Sequence, residues 1–331
     1  MTFAPPAIRF LASSADPRQG RDAWSSTQAA EKLAAAALFG APLDLTESFR
    51  SGAHGGPSAV RYMSESLETY SPVLDRDLED VVVHDLGDLQ LDGLAMDGAL
   101  EAIENAMVRA ARTAKLAVML GGEHTGSLAG FRGIKRVFPE AVIVQVDAHL
   151  DIRHDYEGEL FSHATWLHRV GEEFGFGAIH QVGVRSGDRA EWRTSRDRTA
   201  WSSSELALPQ SVRGAIGQNP VYVSIDIDVL DPAHAPGTGC PEPGGVTFRE
   251  LAQFLYGLDD LRVVGLDVME VSPGIDGANI TAAAAAKLVR EAVLLFGTRG
   301  PSKPAQVPPE FRPTPPTPSP WPGRGGEGGE G

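Results

Sequence analysis

Three clusters of acidic and histidine residues each follow a short apolar run in this 331-residue chain. The clusters are Gly-Gly-Glu-His at 121–124, Asp-Ala-His-Leu-Asp at 147–151 and Asp-Ile-Asp-Val-Leu-Asp at 226–231. Alternate side chains of an extended segment point to the same side, so each strand end can direct several ligand groups at one centre. Carboxylates and imidazoles in this pattern favour a two-metal site over core packing.

Predicted strands and helices alternate along the chain. Short apolar, β-branched runs predict strands at 35–39, 81–83, 116–120, 141–146, 179–184, 221–225 and 263–268. Helical patterns cover 96–114, 126–137, 164–174, 248–258 and 281–296. Apolar strands separated by helices are typical of a parallel sheet that is covered on both faces. We therefore predict an α/β fold, a three-layer sandwich with a central, mostly parallel sheet.

The ends of four predicted strands lead into candidate ligands. Sheets of this kind bind ligands beyond the carboxyl ends of their strands. The residues that follow those strands are His124, Asp147, Asp226 and Glu270. An Asp after a strand is often a helix cap or a turn former. Four such positions in one chain favour a shared site.

Composition limits the partners and the compartment. The formal net charge of −15 repels phosphates, which excludes nucleic acid and anionic membrane surfaces as expected partners and is compatible with a small cationic substrate. Acidity of this kind also simply keeps proteins soluble. Cys240 is the single cysteine, so an intramolecular disulfide is ruled out and a reducing compartment is expected. We see neither a secretory signal nor a run of roughly 20 apolar residues, and we predict a cytoplasmic protein.

The chain divides into three parts by composition. Residues 1–30 are mixed polar and are predicted to form an N-terminal extension. Residues 31–298 carry all the predicted strands and helices and are expected to form one large domain. Residues 299–331 are rich in Pro and Gly and are predicted to be a disordered tail, because they offer little apolar surface to bury.

The segment from 49 to 296 resembles the ureohydrolase family of arginases and agmatinases, and agmatinases in particular. The motifs that carry the resemblance are Ser-Gly-Ala-His-Gly-Gly-Pro at 51–57, Gly-Gly-Glu-His at 121–124, Asp-Ala-His-Leu-Asp at 147–151, Ser-His at 162–163, Ser-Ile-Asp-Ile-Asp-Val-Leu-Asp-Pro at 224–232, Pro-Gly-Thr-Gly at 236–239 and Met-Glu-Val-Ser-Pro at 269–273. Asp-Ala-His-x-Asp and Ser-Ile-Asp-x-Asp are highly specific as a pair. Domain 31–298 is then expected to be the catalytic domain.

The resemblance implies a binuclear manganese centre with two Mn²⁺ ions per subunit. One ion is expected to be held by His124, Asp147, Asp151 and Asp226. The other is expected to be held by Asp147, His149, Asp226 and Asp228. Asp147 and Asp226 would therefore bridge the two ions. Four carboxylates with two imidazoles form an oxygen-rich set that suits Mn²⁺ and is poor for copper or structural zinc.

The implied reaction is hydrolysis of a guanidino group to urea and an amine. A guanidinium is a reluctant electrophile, and two adjacent metal ions can activate water for the attack at neutral pH. Asp151 is expected to accept a hydrogen bond from the attacking hydroxide and later to pass a proton to the leaving amine. His163 matches the family's proton-shuttling histidine, although a lone His near a helix start is often only a cap. Glu270 matches the carboxylate that pairs with the substrate guanidinium.

The substrate and the departures from the family pattern leave alternatives open. Glu123 stands where the family usually has Asp, His54 where Arg is common and Cys240 where Thr is frequent. Arginases follow Asp-Ala-His-x-Asp with Asn and Ser groups that bind an α-carboxylate, and this chain lacks them. Carboxylates that could attract a distal ammonium, or could simply be solvated, follow instead: Asp155, Glu157 and Glu159.

Agmatine is therefore the expected substrate, with putrescine and urea as products. The alternatives are N1-aminopropylagmatine, guanidinobutyrate or arginine as substrate. A single-zinc deacetylase would leave His124 and Asp228 without a role, and an inactive binding or regulatory homologue would usually have lost ligands. Family members are usually trimers or hexamers, so a homo-oligomer is expected.

Overall fold

A computed structural model describes residues 2–15 and 33–298. The first half contains β1 (Phe3–Ala4), β2 (Ala34–Ala41), α1 (Gly56–Ser64), β3 (Tyr70–Ser71), β4 (Arg76–Asp77), β5 (Val83–Leu89), α2 (Met96–Thr113), β6 (Ala114–Gly121), α3 (Gly126–Val137) and β7 (Val142–Val146). The second half contains α4 (Trp166–Phe174), β8 (Ile179–Val182), α5 (Arg189–Arg198), β9 (Trp201–Ser203), α6 (Gln210–Ile216), β10 (Pro220–Asp226), α7 (Phe248–Gly257), β11 (Arg262–Met269) and α8 (Ile280–Ala292). A π-helical turn at Val293–Gly297 continues α8.

A nine-stranded sheet forms the centre of the molecule, in the order β1-β5-β2-β6-β11-β10-β7-β8-β9. All its neighbouring strands are parallel except β1, which runs antiparallel to β5 at one edge. β3 and β4 form a separate small hairpin. Parallel strands need crossovers, and the helices supply them on both faces.

Two apolar cores lie on opposite faces of this sheet. One face packs against α1, α7 and α8, and the other against α2, α3 and α4. The central strands are buried along nearly their whole length, which explains their continuous apolar sequences. The predicted three-layer α/β sandwich is confirmed.

The central strands end in register at one edge of the sheet. β6, β11, β10 and β7 are consecutive neighbours. Val268 of β11 pairs with Leu120 of β6, and Ile225 of β10 pairs with Val146 of β7. Because the residues after these pairs leave the sheet together, the motifs at 121–124, 147–151 and 226–231 meet beyond the same edge.

Several elements were missed or shifted by the sequence analysis. The strand predicted at 81–83 is β5, which begins at Val83 and runs through acidic residues. Its buried Asp85 is paired with Arg61 of α1, so polarity there reflects an internal ion pair and not a loop. α1, α5, α6, β9 and the β3–β4 hairpin were not predicted, because they are short or strongly polar.

The N-terminal segment takes part in the fold. Residues 1–30 were expected to precede the first strand, but β1 extends the sheet and Phe10 is buried in the core. The backbone N–H of Phe10 donates to Asp85 Oδ2 at 3.0 Å. Residues 16–32 and the predicted tail at 299–331 lie outside the described residues. Among the described helices, none has the length and hydropathy needed to cross a membrane.

Candidate metal centre and active site

The first group of candidate ligands surrounds the imidazole of His124. Its Nδ1 lies 3.2 Å from Asp147 Oδ2, 3.2 Å from Asp151 Oδ2 and 3.1 Å from Asp226 Oδ2. The nitrogen is buried, yet no carboxylate is oriented for a proper hydrogen bond to it. Four ligand atoms that converge without hydrogen-bond geometry fit a cation between them, and the donor set suits Mn²⁺.

The second group shares Asp147 with the first. His149 Nδ1 lies 2.8 Å from Asp228 Oδ2 and 3.8 Å from Asp147 Oδ1. The ligand atoms of Asp147, His149 and Asp228 all lie within 4.8 Å of one another. Asp226 is adjacent, since its Oδ1 accepts the backbone N–H of Asp228 at 2.8 Å. The geometry therefore places two candidate ligand groups next to each other, with carboxylates between them.

Burial and mutual repulsion shape the ionisation of these carboxylates. Burial, followed by the charges of Asp151 and Asp228, raises the pKa of Asp147 to about 7. Burial, followed by the charges of Asp228 and Asp147, raises the pKa of Asp226 well above its usual range. Among the described ion pairs, only the two imidazoles offset this charge. Bound cations would lower these pKa values and stabilise the ionised forms.

Two site residues have left-handed backbone conformations. The φ angle is 51° at Asp151 and 64° at Glu270. This region is costly for residues other than glycine and recurs at functional sites. At Asp151 it accompanies a buried side chain whose Oδ2 accepts the indole N–H of Trp166 at 2.9 Å. The packing of α4 therefore fixes this carboxylate in the site.

A buried chain of hydroxyl groups supports His124 from behind. Its Nε2 lies 2.9 Å from Ser224 Oγ, Ser224 donates to Ser127 Oγ at 3.1 Å, and Ser127 donates to Asp267 Oδ2 at 2.7 Å. Tyr222 also donates to Asp267, at 2.5 Å. Because a carboxylate terminates the chain as an acceptor, the hydrogen bonds run from His124 outward. That direction places the imidazole proton on Nε2 and leaves the Nδ1 lone pair for a metal.

An amide chain supports Asp147 in the same way. Gln145 Nε2 donates to Asp147 Oδ2 at 2.7 Å, and Gln145 Oε1 accepts from Gln181 Nε2 at 2.7 Å. Ser195 of α5 then donates to Gln181 Oε1 at 2.7 Å. These buried polar groups from β7, β8 and α5 hold the carboxylate in one orientation.

Glu270 lies at the end of β11, next to the first metal group. Its Oε1 accepts the backbone N–H of His124 at 2.6 Å. The carboxyl group of Glu47 lies close to it, and both residues line the same cavity. Burial, followed by the charge of Glu47, raises the pKa of Glu270 well above its usual range. The sequence analysis did not identify Glu47.

His163 lies beside the loop after β2. Its Nε2 is 3.2 Å from Ser48 Oγ, and its backbone N–H donates to Thr46 Oγ1 at 3.2 Å. Its ring meets that of Tyr156 edge-on, with centroids 5.7 Å apart. Among the described residues, the hydrogen bonds of His163 join it to Thr46 and Ser48 and not to the candidate metal ligands.

The three departures from the family pattern have distinct surroundings. Glu123 is fully buried and accepts the backbone N–H groups of Leu45 and Thr46 at 2.7 and 2.6 Å, so it anchors the loop after β2. His54 is exposed, and its Nδ1 is 2.7 Å from Asp44 Oδ2. Burial raises the pKa of the Cys240 thiol to about 11, so this cavity residue is neutral at neutral pH.

One cavity of about 430 Å³ connects these groups. All of the predicted site residues line this cavity except Asp147, which is fully buried. The loop after Asp151 contributes Arg153 and Tyr156, whereas its three carboxylates are exposed and do not line the cavity: Asp155, Glu157 and Glu159. The hypothesis that those carboxylates receive a distal ammonium is therefore not supported. Asp188 and Glu191, at the start of α5, line the cavity instead.

The residues that sequence reasoning missed fall into two kinds. Glu47 follows β2 closely, so the search for acids after strands could have found it. Ser127, Gln181 and Asp267 carry no such signal, because they lie inside helices or strands and are polar only for partners distant in the sequence.

A parallel central sheet with two adjacent carboxylate–imidazole groups at its carboxyl edge is typical of metal-dependent hydrolases. The family model "Arginase family" matches residues 34–295. The chain is 39% identical over 263 residues to an agmatinase of Halalkalibacterium halodurans, covering 78% of this chain and 91% of that protein. It is 34% identical over 269 residues to a guanidinobutyrase of Pseudomonas aeruginosa, covering 77% and 84%.

A solved structure shares the fold. Proclavaminate amidinohydrolase from Streptomyces clavuligerus superposes with a TM-score of 0.75 at 29% identity, covering 88% of this chain and 97% of that one. This chain therefore belongs to the arginase family. It is an enzyme that hydrolyses guanidino C–N bonds, and the resemblance found in its motifs is confirmed.

Proposed function

We propose that this enzyme binds two Mn²⁺ ions and hydrolyses agmatine to putrescine and urea. The observation that carries the proposal is the convergence of two imidazoles and four carboxylates at one sheet edge, with Asp147 common to both groups. The identity of 39% with the agmatinase of Halalkalibacterium halodurans supports the choice of substrate.

The residues proposed to hold the ions are those that the motifs predict. The first ion would be held by His124, Asp147, Asp151 and Asp226. The second would be held by Asp147, His149, Asp226 and Asp228. Two ions at these positions would supply the Lewis acidity that activates water at neutral pH.

The protein groups around the ions have separate proposed roles. Asp151 accepts a hydrogen bond from the attacking water and later returns a proton to the leaving amine. Glu270 pairs with the guanidinium and orients its carbon, since planar guanidinium and carboxylate match in shape and charge. His163 lines the same cavity, where it can relay protons between the leaving amine and solvent.

Two further carboxylates in the cavity support a cationic substrate tail. Asp188 and Glu191 line the cavity together with the candidate ligands. Glu191 also accepts hydrogen bonds from the backbone of Ile152 and Asp188. Agmatine carries an ammonium at the end opposite its guanidinium, so additional carboxylates in the cavity favour it over a substrate with an anionic tail.

A guanidino acid such as guanidinobutyrate is the second candidate. Arg153 lines the same cavity, with its guanidinium 4.9 Å from the centroid of the Tyr156 ring. Its Nε donates to Glu191 Oε2 at 3.0 Å, so part of its charge is already paired. The similarity to the guanidinobutyrase of Pseudomonas aeruginosa also supports guanidinobutyrate as a substrate.

Urea release by Mn²⁺-loaded protein would test the substrate. Agmatine, arginine, guanidinobutyrate and N1-aminopropylagmatine are supplied in parallel, and the highest kcat/KM is expected for agmatine. A preference for guanidinobutyrate that Arg153→Gln abolishes would establish the second candidate. Urea from none of them would contradict the proposed reaction.

Three wider expectations belong to the same proposal. The catalytic domain would span 31–298, which agrees with the extent of the family match. The enzyme would work in the cytoplasm, without nucleic acid or membrane partners. It would also assemble as a trimer or hexamer, which light scattering during size-exclusion chromatography would test.

A further inference from the structure

A second carboxyl group, that of Glu47, lies in the substrate cavity against Glu270. Glu47 belongs to the loop between β2 and α1, and it lines the cavity together with His163 and Cys240. Its carboxyl group lies close enough to that of Glu270 for their charges to repel each other, and both residues line the same cavity. Because two neighbouring carboxylates repel each other, a cation between them would be favoured.

The loop holds Glu47 in this position. Glu123 binds the backbone N–H groups of Leu45 and Thr46, and Asp44 Oδ2 accepts the backbone N–H of Gly52 at 2.9 Å. Space for the carboxyl group depends on Gly239, where a Cβ atom would lie 3.0 Å from Glu47 Oε2. The side chain is therefore placed by the fold before substrate binds.

Glu47 also has an unused acceptor. Its Oε1 is buried, and no donor among the described residues forms a hydrogen bond with it. A buried acceptor without a donor is costly, and a ligand that brings N–H groups and positive charge would satisfy it. Nearby Asp44 and Glu123 add negative charge around it and favour a cation further.

We propose that Glu47 is a second binding residue for the substrate guanidinium, holding one N–H edge while Glu270 holds another. An alkylguanidinium has five N–H donors in one plane, enough for two carboxylates. Both carboxylates bind in that plane and leave the face of the central carbon open to attack. Glu47 then selects for the guanidinium itself, whatever tail the substrate carries. The inference rests on the proposed guanidino substrate.

The test is the affinity of the Mn²⁺-loaded protein for methylguanidinium, measured by isothermal titration calorimetry. This probe has the guanidinium and no tail. Glu47→Gln keeps the shape of the side chain and removes its charge, and we expect the dissociation constant to rise about tenfold or more. Glu65→Gln, which changes an exposed carboxylate at the end of α1, is the matched control and should leave the affinity unchanged.

Steady-state kinetics separate this role from its alternatives. Glu47→Gln should raise KM by a similar factor for agmatine and guanidinobutyrate, with a smaller change in kcat. A rise in KM for agmatine alone would overturn the proposal, since Glu47 would then act on the tail of the substrate. Unchanged methylguanidinium affinity, or loss of bound Mn²⁺, would also overturn it.

A further variant controls for a folding defect, and turnover by the wild-type protein tests the proposed reaction. Glu47→Asp retains the charge with a shorter reach, and we expect an affinity between those of the wild type and Glu47→Gln. An affinity for Glu47→Asp no better than that of an uncharged side chain would contradict charge pairing. Absence of urea from wild-type protein would refute the proposed function, while the methylguanidinium titrations would still decide the role of Glu47.

Discussion

At the scale of single residues, we expect the two carboxylates proposed to bridge the ions to be the most sensitive positions of the site. Asp147 and Asp226 each lie within 3.2 Å of His124 Nδ1, and both are buried. Replacement by Asn keeps the size of the side chain and removes the charge that two cations would share.

We expect Asp147→Asn and Asp226→Asn each to remove most urea release and to reduce bound Mn²⁺. Elemental analysis after gel filtration measures the metal, and urea release measures turnover. Asp92→Asn, which alters an exposed carboxylate, should change neither. Full turnover in both site variants would refute the ligand assignment.

The hydroxyl chain behind His124 leads to a second prediction at this scale. Asp267 accepts a hydrogen bond from Ser127. Because Asp267 is the final acceptor, each group of the chain, beginning with His124, donates to the next one. The amide of Asn can donate instead, which would reverse the chain and favour a proton on Nδ1.

We expect Asp267→Asn to weaken Mn²⁺ binding by about 10- to 100-fold, the usual effect of a lost ligand-orienting partner. Calorimetric titration of metal into metal-free protein measures this. Tyr222→Phe is the matched control, because it removes the other hydrogen bond to Asp267 and leaves the chain from His124 intact. Equal affinity in wild type and Asp267→Asn would show that the chain does not orient the imidazole.

At the scale of elements, a buried ion pair joins α1, β5 and the N-terminal segment. Arg61 Nε and Nη2 donate to the two oxygens of Asp85 at 2.8 and 2.9 Å, and Nη1 donates to Asp88 at 2.5 Å. Asp85 also accepts the backbone N–H of Phe10. Removal of one member leaves a buried charge without its partner.

We expect Arg61→Met to lower the free energy of unfolding by about 3–5 kcal/mol. Urea denaturation followed by circular dichroism measures the change. Arg112→Met, at an exposed position in the last turn of α2, is the control and should be nearly neutral. A loss below about 1 kcal/mol would place the Arg61 pair among weak surface ion pairs.

At the scale of the whole molecule, metal and pH are linked through the buried carboxylates. The pKa of Asp147 rises from 3.8 to about 7 on folding, because burial and neighbouring charges disfavour its ionised form. The metal-free folded protein therefore holds this proton more tightly than the unfolded chain does. The raised pKa values of His124 and His149, whose carboxylate contacts outweigh burial, act in the same direction.

We expect the unfolding free energy of chelator-treated protein to fall as pH rises from about 4 to above 7. The pKa of Asp228 is lowered on folding, so this residue adds stability as pH rises. Its contribution is complete above pH 3.8 and therefore opposes the fall in unfolding free energy only at the acid end. Mn²⁺ should remove most of the decline, because cations stabilise the ionised carboxylates. Thermal denaturation at several pH values, with and without Mn²⁺, measures both. If the metal-free protein became more stable as pH rises, this would contradict the raised pKa values of Asp147, His124 and His149.

The amino-acid pattern alone predicted the four central strands of the sheet and the candidate metal ligands at their ends. The patterns at 116–120, 141–146, 221–225 and 263–268 agree with β6, β7, β10 and β11 to within two residues at each end. Buried parallel strands are apolar throughout, and ligands at strand ends are spaced by local geometry. Both signals can be read within a few neighbouring residues.

Only the tertiary structure decided which distant residues meet. The contact between Glu47 and Glu270, the chain from His124 to Asp267 and the pairing of Arg61 with Asp85 each join segments far apart in the sequence. Such contacts depend on the order of strands in the sheet and on the packing of helices against it. The amino-acid pattern around each residue is the same whether or not its partner is near, so the sequence alone could not supply them.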